Sequence, residues 1–124
     1  MATAVLSIGP FRKVHDINVS SKNGRNFIIV IYEDGNGGYE SEVTVLDNIS
    51  VTKGSWIYKV SPASTSVEDN FKSAIELIQK YLSSVDPKDS ISDIHNPCNY
   101  PFISETQQNN VLASMGVSLT VRIN

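Results

Sequence analysis

Apolar residues fall on alternate positions along roughly the first sixty residues, then return at every third or fourth position, so a strand-forming region gives way to a helix-forming one. Phe11, Ile17 and Val19 share one parity, which also carries Lys13 and His15. Asn23-Gly24 follows and predicts a two-residue hairpin, because both residues tolerate the positive φ of a type I′ turn. Phe27 to Tyr32 is apolar on both parities, which predicts a central strand covered on each face. After the glycine-dense turn Asp34-Gly-Asn-Gly-Gly38, Tyr39, Val43 and Val45 alternate with Glu40, Glu42 and Thr44. Ile49 and Val51 keep that parity beyond a kink at Asp47-Asn48. Lys53-Gly54 turns the chain again, and Trp56, Tyr58 and Val60 alternate in a further strand. Consecutive strands joined by short turns imply an antiparallel meander.

Pro62 closes this region, and Thr65 with Glu68 has the spacing of a capping box. Val67, Phe71, Ala74, Ile75, Ile78, Tyr81 and Leu82 then form one helical stripe, which predicts a helix over about 66–83. Residues 84 to 103 show no periodicity and contain Pro87, Pro97 and Pro101, as a long loop does. Ser104 with Gln107 predicts a second cap and a short helix to about Met115, with Val111, Leu112 and Met115 on its buried side. Gly116 suits the left-handed residue that ends helices. Val117, Leu119, Val121 and Ile123 alternate with Ser118, Thr120 and Arg122 and predict a terminal strand. The expected fold is one α+β domain spanning 1–124, an antiparallel β-meander of about six or seven strands packed against one long and one short helix.

Composition narrows the classes of function. The 124 residues are 40% hydrophobic and 19% charged, with a net charge of −3. Eleven Asn and seventeen Ser supply much of the polarity, so the surface favours neutral hydrogen bonds over ion pairs. The ten basic residues are scattered, with Arg12-Lys13 and Lys22/Arg25 the closest groupings, and this argues against a nucleic-acid partner. The single cysteine, Cys98, excludes an intrachain disulfide scaffold. No run nears the ~20 apolar residues of a membrane-spanning helix, and the N-terminus lacks the pattern of a signal peptide. The sequons at Asn18 and Asn48 are what chance provides in a chain this rich in Asn and Ser. The expected setting is cytoplasmic, or host cytoplasm for a virus-encoded accessory protein.

The segment Asp93 to Phe102 carries most of the candidate chemistry: His95, Asn96, Cys98, Asn99 and Tyr100 within ten residues. A nucleophilic Cys98 with a His95 base lacks a third group to orient it. A structural zinc site wants four nitrogen or sulfur ligands, and His15, His95 and Cys98 fall short, so neither metal nor cofactor is expected. A proline-stiffened loop with asparagines capping its turns explains the segment with fewest assumptions. Asp34–Gly38 lacks both the phosphate-loop spacing and the twelve-residue calcium loop, and a hairpin tip suffices. Trp56, Tyr58, Tyr32 and Tyr39 have no basic neighbours in register to make them a stacking platform. With no catalytic set, the sequence favours a non-enzymatic binding or assembly protein acting through protein contacts as a homo-oligomer, its contact at the 117–123 strand or the sheet edge beside it. The alternative is a protein that binds or sequesters a nucleotide- or sugar-like small molecule in a pocket closed by the 93–102 loop, with His95, Asn96, Asn99, Tyr100 and Arg122 as its lining.

Overall fold

The computed structural model describes residues 13–33, 38–49, 54–64, 66–97 and 102–123. Their elements, in chain order, are β1 (Lys13–Ser21), β2 (Asn26–Glu33), β3 (Tyr39–Asp47), β4 (Gly54–Ser64), α1 (Val67–Val85), β5 (Ile91–His95) and α2 (Glu105–Ser114). The strands form one sheet in the order β4-β3-β2-β1-β5, with every neighbouring pair antiparallel. The first four strands are a meander. The chain then crosses the sheet through α1 and adds β5 to the far edge, beside β1. This is an α+β architecture with five described strands; the Ile49–Val51 strand is not among them, since Ile49 lies past the end of β3 and 50–53 fall outside the described residues.

Alternation sets the two faces of the sheet. His15, Ile17 and Val19 of β1, Phe27, Ile29 and Ile31 of β2, and Val43 and Val45 of β3 all point to one face and are buried. Phe71, Ala74, Ile75 and Ile78 of α1 are fully buried in the same apolar cluster, so the helical stripe and the strand parity meet in one core. Such burial contributes about 1.5–3 kcal/mol per large side chain before entropy is counted. The opposite face is a departure from expectation. Ile28, Val30 and Tyr32 are only half-buried, and no described helix packs over them. The central strand is thus covered on one face among the described residues.

Several local features differ from the sequence pattern for identifiable reasons. The β1–β2 hairpin closes on three residues: the Gly24 N–H donates to the Ser21 carbonyl, the Ser21 N–H donates to the Arg25 carbonyl, and Gly24 has φ 96°. That is the loop whose last residue must be left-handed, so glycine serves it as well as a two-residue turn. Helix α1 is capped by Ser66, whose side chain accepts from the Asp69 N–H. Strand β5 lies within the segment expected to be a loop. A bulge explains why its pattern is hidden: Asp93 pairs with Ser20 and Ile91 with Ser21, so Ser92 is an extra residue. Ile91 and Ile94 therefore reach the same face at a spacing of three, which does not look like a strand.

The expected terminal strand is corrected. Residues 117–123 make a single parallel bridge, Arg122 to His95, with the Asn96 N–H donating to the Arg122 carbonyl at 2.9 Å and the Arg122 N–H to the Ile94 carbonyl at 2.7 Å. The cause is the end of α2. Gly116 takes φ 75°, its N–H donates to the Ala113 carbonyl, and the Val117 N–H reaches back to the Leu112 carbonyl. This double cap turns the chain back on the helix. The Asn109 side chain then accepts from the Val121 N–H at 2.8 Å, so the segment is tied to α2 as well as to β5.

Candidate functional site

Two buried polar assemblies and one open edge stand out. The first joins β1, the residue after β5, and α2. His15 lies on the core face of β1 and is 1% exposed. Its Nδ1 accepts from the Phe102 N–H at 3.2 Å, so the ring proton sits on Nε2, which donates to Asn96 Oδ1 at 2.6 Å. Asn96 Nδ2 donates to Gln108 Oε1 at 2.9 Å, and Gln108 Nε2 donates to the Ile103 and Ser104 carbonyls. The donors run one way along the whole chain, which fixes the tautomer and both amide orientations. Phe102 also packs edge-on against the His15 ring, at 5.5 Å between centroids. Chemically this network holds; with all three side chains buried, it presents no reactive group to solvent.

The second assembly surrounds Arg25, 3% exposed and just before β2. Its Nε donates to Asp47 Oδ2 at 3.1 Å, and its Nη1 reaches Asp86 Oδ2 at 3.2 Å and Asp89 Oδ2 at 3.0 Å. Tyr81 Oη donates to Asp47 at 2.6 Å, and Ser21 Oγ and the Asn23 N–H donate to Asp89. Burial opposes the Asp89 carboxylate, but hydrogen bonds from Ser21, Asn23 and Arg25 outweigh it and hold its pKa below the ordinary value. The Asn23 amide, aided by the Lys88 N–H and Arg25, lowers Asp86 in the same way. Burial likewise opposes the Arg25 charge, yet the carboxylates raise its pKa. One guanidinium thus ties the first hairpin to β3 and to the turn after α1. Among the described residues, no group of three or more His, Cys, Asp or Glu side chains is placed to hold a metal ion.

The residues singled out from sequence are only partly brought together. Asn96 is buried in the histidine network. His95 is half-buried at the end of β5, on the face away from the helices, opposite Asn18. Arg122 forms a two-pronged, solvent-exposed pair with Asp93, at 3.2 and 3.0 Å, and this pair lowers the Asp93 pKa. Asn99, Tyr100 and Cys98 lie outside the described residues, as does most of the Asp34–Gly38 turn. Of the four aromatic residues weighed as a stacking platform, Tyr32 faces away from the helices, Trp56 and Tyr58 share the helix-bearing face of β4, and Tyr39 leans on Phe102. The sequence reading passed over Gln108 and named Arg25 only as half of the Lys22/Arg25 basic grouping. Arg25 shares parity with Phe27, Ile29 and Ile31, which is the signal that places it inside.

The open edge is β4, eleven residues long and paired only to β3 among the described strands. Ile57 is 68% exposed and Tyr58 41%, two of the three large apolar side chains so exposed among the described residues. Tyr58 also lines a mainly apolar groove of about 340 Å³ with Leu77, Lys80, Tyr81 and Ser84 of α1. A second, more polar cavity of about 380 Å³ lies between α1 and the start of β5, bounded by Gln79, Ser83, Asp89 and Ser90. No helix among the described residues is long and apolar enough to cross a membrane. In comparisons with known proteins, the chain matches no family model, no curated protein and no solved structure.

Proposed function

We propose that this chain is a non-enzymatic binding and assembly protein that acts through protein contacts and self-associates. The observation that carries the reading is the β4 edge: a long strand, unpaired on one side among the described residues, with Ile57 and Tyr58 exposed beside an apolar groove. An edge of this kind offers a row of backbone donors and acceptors, and monomeric proteins commonly cover or charge such strands. Strand addition is a general mode of protein recognition, in which main-chain bonds give affinity and side-chain pockets give selectivity. The two buried networks suit this role, because they stiffen the sheet without presenting reactive groups. In the small-molecule alternative, Asn96 would have to give up its bonds to His15 and Gln108 to meet a ligand, which weighs against it. The test is the native mass of the full chain by light scattering across a wide dilution series. A dimer or larger assembly at micromolar concentration is expected; a monomer throughout would overturn self-association.

A further inference from the structure

We infer that Asn23-Gly24 is a site of spontaneous deamidation, and that conversion of Asn23 to aspartate or isoaspartate loosens the first hairpin from the turn after α1. The reaction needs only water as co-reactant. The Gly24 nitrogen attacks Asn23 Cγ, and the N–Cγ bond forms as the Cγ–Nδ2 bond breaks. The side-chain nitrogen leaves as ammonia, taking the proton that the Gly24 nitrogen gives up. Water then opens the succinimide at one carbonyl to aspartate, or at the other to isoaspartate. Glycine suits the attack because no Cβ crowds its nitrogen and its backbone turns freely. Asparagine is thermolabile through chemistry of this kind.

The structure adds three observations to the dipeptide. Lys22, Asn23 and Gly24 are all exposed in the loop between β1 and β2, so water reaches the reacting groups. Two bonds restrain those groups: the Gly24 N–H donates to the Ser21 carbonyl at 3.1 Å, and Asn23 Nδ2 donates to Asp86 Oδ2 at 2.9 Å. Each such bond is worth about a factor of five, so local opening slows attack roughly 30-fold, whereas global unfolding would slow it about 1,000-fold or more. The third observation is what conversion does to the Arg25 cluster. The Asn23 amide is the strongest of the influences that lower the Asp86 pKa, and the Asn23 N–H donates to Asp89 Oδ1 at 2.9 Å. Aspartate at position 23 replaces that amide donor with a carboxylate against Asp86, where Asp47, Asp86 and Asp89 already share one guanidinium. Like charges so placed disfavour each other's ionised form. Isoaspartate brings the same charge and adds one carbon to the hairpin backbone.

The test ages the full chain at about pH 8 and about 37 °C and follows Asn23 by peptide mapping, beside a synthetic peptide of residues 19–27. Conversion at Asn23 with isoaspartate among the products, roughly 30-fold slower than in the peptide, is expected. A rate about 1,000-fold or more below that of the peptide, or conversion confined to Asn36-Gly37, would overturn the site. The consequence is read on Asn23→Asp and, independently of how that variant folds, on the converted chain separated from the aged sample by ion exchange. The unfolding equilibrium constant of each should be roughly 10-fold larger at neutral pH, and the effect of Asn23→Asp should shrink to under about 2-fold in an Asp86→Asn background. An unchanged constant, or the same loss with Asp86→Asn present, would overturn the loosening of the hairpin through Asp86.

Discussion

Arg25 shows what one residue can organise in this fold. Its guanidinium is inside because its parity is inside, and it is tolerable there only because Asp47, Asp86 and Asp89 converge on it. Removing one member of a buried ion pair strands the other charges, so Arg25→Ala should cost about 3–5 kcal/mol in denaturant unfolding; a loss under about 1 kcal/mol would mean that water reaches the carboxylates. Gln108 holds the far end of the histidine network, and Gln108→Ala should cost about 1–3 kcal/mol by removing the buried hydrogen bond that the Asn96 amide donates to it. Acid acts on the same groups. Asp86, Asp89 and Asp93 have folded pKa values below the ordinary carboxylate value of about 3.9, so the stability they contribute is complete above that value and is lost as pH falls through their folded values. The unfolding midpoint should fall steadily below about pH 4; a midpoint that rises on acidification would contradict the assignment. His15 was readable as a buried, bonded histidine from its parity. Its partners Asn96 and Gln108 were not, because they are 81 and 93 residues away and joined to it only by the tertiary fold.

Among the elements, those with many periods of a clean pattern were legible and the short ones were not. The stripe of α1 runs through nineteen residues, and its buried set is the expected apolar one except that Asn70, bonded to Ser41, is also buried and Tyr81 is only half-buried. Phe71→Ala and Ile78→Ala should each cost about 2–5 kcal/mol, the range for emptying a packed site; an effect within error would place that face outside the core. The cap of α2 was legible as well, since Ser104 and Gln107 make reciprocal bonds. Strand β5 was hidden by a bulge in five residues, and the 117–123 alternation was misleading because the Gly116 turn and Asn109 bind that segment to α2. Period-two spacing shows that a segment can form a strand, but not that a neighbouring edge is free to pair with it.

At the scale of the whole molecule, the sheet has one edge bridged by the chain's own C-terminal segment and one edge, β4, with no described partner. The sequence held the clue to the second: Trp56, Ile57 and Tyr58 put apolar groups on both faces of a strand. It did not say that the strand is outermost, because strand order depends on the crossover through α1. The measurement that tests the central claim most directly is amide hydrogen exchange of the full chain at concentrations above and below those at which it associates. Slower exchange of the β4 amides around residues 55–58 on association, with β2 unchanged, is the expected result. Protection that grows instead at residues 117–123, or a β4 edge that exchanges at the same rate in monomer and assembly, would contradict it.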